Sequence, residues 1–362
     1  MTQRQTAITV FDYMPLHMFS RRTTSNLARL DFSQSVFQSA RLLAQLHTPT
    51  TSRFQSTAAM NKSPPKPLKQ KQPIHWILDW DGTMTKKDTL DALVSISASN
   101  KPDFPTQYHW QRVSKAYMDD YTSTLQDLAP NDNLPKTIED EKALLQKLKA
   151  VEQRSLDRVG ESGIFWGLTK KALEERVQKA IDEKNVELRN GFTEFHRAVQ
   201  SEDLTLLSVN WSRHFISSCL SASGISIPEE SILSNELSNL ASGHASTGYI
   251  MSADPTSAPD GTIVSSSDKL QHLEDLRKKN MRTKMLVYVG DSWTDIECLV
   301  AADLGICIRD EEIGSSQRQL AEALTRLEVN CVRLSEWKKE EGGVAWVRDF
   351  AEIQHWMESR LW

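Results

Sequence analysis

The hydrophobic rhythm of the chain changes at three points. At Ile74 the run IHWIL ends in DWDGT, the pattern of a buried strand opening into a tight loop. From residue 86 to 200 apolar positions recur at helical spacing, as in Trp110, Val113 and Tyr117, then Leu144, Leu148 and Val151, then Leu173, Val177 and Ile181. Nothing in that stretch reads as a strand, so it is predicted to be one inserted helical domain. After residue 203 short apolar runs alternate with helical or polar segments: Leu204 to Val209, Ile232 to Leu233, Met285 to Val289, Gly305 to Ile308 and Val329 to Leu334. Such alternation predicts an α/β fold, a doubly wound parallel sheet covered by helices on both faces. The polar stretch from Ser238 to Ser267 reads as a surface hairpin or loop, and no internal repeat is present.

These changes divide the chain into a tail and linker over 1–73, an α/β core over 74–85 and 201–362, and an inserted helical domain over 86–200. The tail is Arg- and Ser-rich through about residue 59, with a weak amphipathic pattern from Leu27 to Leu46 and an Arg53-Phe54-Gln55-Ser56 stretch resembling a presequence cleavage region. Asp12 and Asp31 stand against an import signal, and Met60 is an alternative start. Mitochondrion and cytoplasm are therefore equal expectations. Residues 61 to 73, rich in Pro and Lys, read as a disordered linker.

Charge sharpens this division. The whole chain carries −5, but positions 1 to 73 hold ten Lys/Arg against two acids, about +8, leaving about −13 for the rest. An acidic catalytic portion does not attract nucleic acid, whose binding needs a basic face. No apolar stretch reaches the roughly 18 to 20 residues that span a bilayer. Four cysteines, Cys219, Cys298, Cys307 and Cys331, form no CxxC pair and suggest neither a disulfide framework nor a zinc cage. The expected partner is a small phosphorylated metabolite; oligomeric state is not legible.

In an open α/β sheet ligands bind beyond the carboxyl ends of the strands. Four groups of polar residues fall at such places: Asp79-Trp80-Asp81-Gly82-Thr83 after IHWIL, Ser208 closing Leu204 to Leu207, Lys269 in Ser267-Asp268-Lys269-Leu270, and Gly290-Asp291-Ser292-Trp293-Thr294-Asp295 after MLVYV. Two acids at the end of an apolar strand are costly to keep without a function. Asp291 and Asp295, taken alone, also suit a strand-end turn and a helix N-terminus.

In this order the four groups resemble the haloacid dehalogenase superfamily, whose motifs are DxDGT, a strand-terminal Ser/Thr, a Lys and GDxxxD. The resemblance covers about residues 74 to 310, and the helical insert directly after the first motif is similar to the cap of the phosphoserine phosphatase-like branch. It implies magnesium (Mg2+)-dependent hydrolysis of a phosphate monoester through an aspartyl-phosphate, with Asp79 as nucleophile and Asp81 as general acid and base. It further implies metal oxygens from Asp79, the Asp81 carbonyl and Asp291, with Asp295 in direct contact or orienting a bound water. Ser208 is then the phosphoryl donor and Lys269 the neutralising cation.

Several positions have competing readings. Asn210 or Ser212 is an alternative phosphate donor to Ser208, and Lys269 has Lys278, Lys279 and Lys284 nearby. Asp88 matches a substrate-contacting acid of phosphoserine phosphatase-like enzymes, and equally suits the N-cap of a helix starting at Thr89. Arg189 and the Phe165-Trp166 pair are candidate cap contacts to substrate, with packing or surface roles as the alternative; Trp110 and Trp166 are chiefly core positions. The histidines are scattered without ligand spacing. Asp81 separates a phosphatase from a dehalogenase, which has no alkoxide to protonate. A phosphomutase and a non-catalytic phosphate-binding regulator are the alternative functions.

Overall fold

The computed structural model describes residues 72–254, 261–279, 284–340 and 342–359. The presequence reading of residues 1–59 and most of the predicted linker lie outside them.

Strand β1 (Ile74–Leu78) is followed by five helices: α1 (Leu90–Asn100), α2 (Thr106–Leu128), α3 (Ile138–Ser162), α4 (Lys170–Asp182) and α5 (Phe192–Ala198). Then come β2 (Leu204–Leu207), α6 (Arg213–Ala222), β3 (Ile232–Leu233), and a hairpin of β4 (Asn235–Leu237) and β5 (Ile250–Ser252). The chain continues through α7 (Ser266–Lys278), β6 (Met285–Gly290), α8 (Ile296–Ala301), β7 (Leu304–Ile308), α9 (Ser315–Arg326), β8 (Cys331–Arg333), β9 (Val344–Val347) and α10 (Phe350–Ser359). Seven strands form one sheet in the order β3-β2-β1-β6-β7-β9-β8, with every pairing parallel. This is the α/β, doubly wound parallel sheet that the apolar runs predict.

Alternation along the strands sends side chains into two apolar layers. Trp76 and Leu78 pack in one layer with Phe195 of α5, Phe215 of α6 and Phe350 of α10. Ile77 and Tyr288 pack in the other with Leu273 of α7, Leu299 of α8 and Leu324 of α9. Burial on both faces is why the strands read as continuous apolar runs rather than alternating ones. From β1 the chain builds outward to β2 and β3 on one side and, from β6, to β7, β9 and β8 on the other. The loops after β1 and β6 therefore diverge and leave a crevice between them. Strand β9, VAWV, was not predicted because its four residues carry no distinguishing rhythm.

Helix α3 shows how strong local signals set an element. The Thr137 hydroxyl accepts the Asp140 N–H at 3.2 Å, the first turn carries Glu139, Asp140 and Glu141, and Gly163 ends the helix at φ 72°. The helical stretch joins the sheet through a short antiparallel stalk: Lys86 N–H donates to Glu187 O at 2.9 Å and Arg189 N–H to Met84 O at 2.8 Å. Beyond the stalk α5, inside the stretch predicted as cap, lies on the sheet with Phe195 edge-on to Trp76 at 5.0 Å between ring centroids.

The helices also touch the core away from the stalk. Buried Glu141 of α3 accepts the Trp293 indole N–H at 2.7 Å and both Arg326 Nη atoms at 2.8 and 2.9 Å. The β4–β5 hairpin begins at Asn235, before the stretch from Ser238 that reads as a surface hairpin or loop; it buries Leu237 and Leu240 and pairs with the helical layer through Gly167 N–H to Ser246 O and Ser246 N–H to Leu168 O, each 2.8 Å. Among the described residues no helix is long and apolar enough to cross a membrane.

Candidate active site

The crevice between β1 and β6 gathers the first, third and fourth sequence groups. Asp79 follows β1 directly, its N–H donating to Val289 O of β6 at 2.9 Å. Asp291 follows β6, and Asp295 sits in the short 3-10 turn after it. Carboxylate oxygens of Asp79, Asp291 and Asp295 lie within 4.8 Å of one another, all three residues buried. Lys269, fully buried in the first turns of α7, brings Nζ to 2.9 Å from Asp79 Oδ1 and 2.7 Å from Asp295 Oδ1. The surface reading of Lys269 is thus replaced by a buried bridge between two acids that are far apart in the chain.

Each acid has a different environment. Burial, with Asp295 and Asp81 adding to it, pushes the Asp79 carboxyl up to about 7 against the opposing Lys269. Burial, followed by the Asp295 and Asp79 charges, drives Asp291 well above the usual carboxylate range; Thr83 Oγ1, donating at 3.1 Å, offsets this only in part. Burial acts on Asp295 in the same sense, but Lys269 and the Tyr288 hydroxyl at 2.6 Å outweigh it and hold that carboxyl below its ordinary value. Asp295 also accepts the N–H groups of Asp291 and Ser292 and the Ser292 hydroxyl at 2.9 to 3.1 Å. Its acceptor positions are filled by protein donors, so its work is to fix Lys269 and the Gly290–Asp295 loop.

The Asp79–Asp81 loop depends on one glycine and one arginine. Gly82 has φ +71°, and a Cβ there sits 2.3 Å from Asp291 Oδ2. Gly82→Ala is expected to cost about 1–2 kcal/mol from backbone conformation alone, to displace Asp291, and to lower the melting temperature measured by circular dichroism. Arg189, buried, reaches across the same loop: Nε donates to Thr83 O at 3.0 Å, Nη2 to Gly82 O at 2.6 Å, and Nη1 to Asp310. Arg189 was one candidate for gripping substrate from the cap, with a packing or surface role as its alternative. Instead its guanidinium is spent on loop carbonyls and Asp310, because the stalk delivers it beneath the loop rather than above the crevice.

The remaining sequence candidates divide. Ser208 is buried at the end of β2; its Oγ accepts Asn210 N–H at 3.2 Å and makes no donor bond among the described residues. Ser212 is occupied, donating to Glu236 Oε1 at 2.7 Å and capping α6. Asn210 does reach the site, but its Nδ2 lies 2.8 Å from Asp81 Oδ2. Asp88 accepts Leu90 N–H at 2.8 Å from one position before Thr89, which is itself the N-cap of α1, while burial and then Asp81 raise the Asp88 carboxyl well above the ordinary value. Phe165 is core and Trp166 is 67% exposed. Thr89, Tyr288 and Asp310 were missed: a threonine before a helix, a strand tyrosine and a loop aspartate carry no signal until the fold brings them to Asp81, Asp295 and Arg189.

The donor set fits a hard divalent cation. Asp291 faces two further carboxylates with no cation in ion-pair contact among the described residues, and all candidate donors are oxygens.

No family model matches the chain. It is similar to a CTO1 family protein of Schizosaccharomyces pombe, 28% identical over 272 residues that cover 72% of this chain and 89% of that protein. It is also similar to the mitochondrial bifunctional TH2 protein of Arabidopsis thaliana, 26% identical over 210 residues, 55% of this chain and 31% of that protein. The chain thus spans about a third of the second relative. Among solved structures it aligns with a phosphoserine phosphohydrolase-like protein from Francisella tularensis (TM-score 0.43, 15% identity, 78% of this chain and 98% of that one). A substrate-bound phosphoserine phosphatase aligns at TM-score 0.41 and 14% identity, over 79% of this chain and 99% of that one.

Proposed function

We propose that the chain is a phosphohydrolase of the haloacid dehalogenase type, hydrolysing a small phosphate monoester through Asp79 and Asp81. The observation that carries this reading is the Lys269 bridge: one buried ammonium between Asp79 and Asp295 draws the first, third and fourth motifs into a single crevice.

Asp79, Asp291 and the Asp81 carbonyl would hold magnesium, with Asp295 orienting from behind; bound there, the ion neutralises charge between the phosphate and the acids. The Asp79 carboxylate attacks phosphorus as the bond to the leaving oxygen breaks, and Asp81 gives that oxygen a proton. Asp81 then takes a proton from water, which attacks phosphorus and breaks the bond to Asp79, releasing phosphate. Ser208 has its hydroxyl hydrogen available for a phosphoryl oxygen, and Lys269 offsets the negative charge of Asp79. The helices over the crevice select the leaving group and exclude water.

The test is phosphate release from p-nitrophenyl phosphate by the full chain. Activity is expected to vanish on chelation and to return with magnesium better than with calcium, whose larger, looser shell disturbs in-line attack. Activity indifferent to chelation rules out the metal assignment; no release with any metal or monoester favours the regulator reading.

A further inference from the structure

The reaction just described uses Asp81 but none of the groups that hold it. Asp81 Oδ1 accepts the Thr89 backbone N–H at 2.7 Å and the Thr89 hydroxyl at 2.6 Å, and Oδ2 accepts Asn210 Nδ2 at 2.8 Å. Neighbours set the direction of every bond. Thr89 Oγ1 receives the Trp80 indole N–H at 3.0 Å and Asn210 Nδ2 at 3.3 Å, so its two lone pairs are engaged and its hydrogen turns to Asp81. The Asn210 amide is oriented by the Ser212 N–H, which can only donate and meets Asn210 Oδ1 at 3.2 Å; Nδ2 must then face Asp81 and Thr89. Trp80, Thr89 and Asn210 are each no more than 1% exposed, so water does not compete for these bonds.

We propose that Trp80, Thr89 and Asn210 are positioning residues for Asp81, a closed relay of oriented hydrogen bonds that aims its carboxyl at the leaving oxygen. Of the roughly four acceptor positions of a carboxylate, two on Oδ1 and one on Oδ2 are filled. The position left to carry the transferred proton is therefore on Oδ2. The relay joins three parts of the fold: the loop between the acids, the residue that starts α1, and the turn after β2. Thr89 begins the first helix of the insert, so the aim of the acid is tied to the seating of that helix. A proton donor held in one rotamer gains over a free one through orientation, and a donor that swings loses that gain.

The proposal rests on Asp81 acting as general acid, and the test separates the two ideas. Turnover of phenyl phosphate, a poor leaving group, and p-nitrophenyl phosphate, a good one, is compared in the full magnesium-loaded chain. Thr89→Val keeps the shape and the backbone N–H but removes the hydroxyl. It is expected to lower kcat for phenyl phosphate about 10- to 50-fold and for p-nitrophenyl phosphate by less than about 3-fold, with KM within about 2-fold. Thr89→Ser is expected to restore most of the loss, and Trp80→Phe to give a smaller loss with the same substrate bias. Asn210→Ala probes the relay from the core side and decides the matter if Thr89→Val does not fold, as judged by circular dichroism. Equal losses on both substrates in Thr89→Val and Asn210→Ala, while Asp81→Asn discriminates between them, overturn the relay and leave the acid assignment standing. Equal losses in Asp81→Asn itself overturn the acid assignment and the relay with it.

Discussion

Asp79→Asn is expected to lower turnover by on the order of 10⁴-fold or more, with little change in stability. The carboxamide keeps the shape of the side chain but is neither a nucleophile nor an anionic ligand. Stability survives because the exchange removes a buried charge that is itself unfavourable: burial, with the Asp295 and Asp81 charges, raises this carboxyl to about 7 despite Lys269. Lys269 keeps Asp295 as its partner at 2.7 Å, so no uncompensated ammonium is left behind. The measurement pairs phosphate release with a urea unfolding curve. Near-wild-type release sinks Asp79 as nucleophile, and a collapse of stability shows that the residue holds the fold rather than the chemistry.

Arg189→Ala is expected to destabilise the protein by about 2–3 kcal/mol and to reduce activity on every substrate in the same proportion. The guanidinium is 5% exposed and serves the carbonyls of Gly82 and Thr83 together with Asp310. Its removal takes a donor from the buried Thr83 carbonyl and the partly buried Gly82 carbonyl and releases the turn that holds Gly82 against Asp291. Arg189→Lys keeps a charge near Asp310 but cannot fork across the loop, and an intermediate loss is expected. Denaturant midpoints and kcat/KM for a natural-like and a small generic phosphate decide the point. Unchanged stability with selective loss of the larger substrate returns Arg189 to the substrate-gripping role that its chain position suggested.

Arg189 also marks where reading the chain stops being sufficient. The parallel sheet was legible because strands buried on both faces, such as LTLL and MLVYV, must be apolar throughout, and because helices between them repeat at another period. The candidate site acids were legible because Asp79, Asp81, Asp291 and Asp295 sit where apolar runs end, a placement that costs free energy unless the residues are used. Such signals are local: each is carried by a few adjacent residues. The Lys269 bridge, the loop staple of Arg189, the Tyr288 hydroxyl on Asp295 and the Trp80–Thr89–Asn210 set around Asp81 are not local. Their partners lie from seven to 190 positions away or come from separate elements, as in the 121 positions between Asn210 and Thr89. Which lysine is buried and which arginine faces the loop rather than the crevice follow from strand order and from the stalk that returns the chain at Leu188. The residue types and order of the candidate site groups are thus properties of the chain itself. Their support was decided only by the fold, because a hydrogen bond between distant positions leaves no period in the sequence, and its strength depends on the burial that the fold creates.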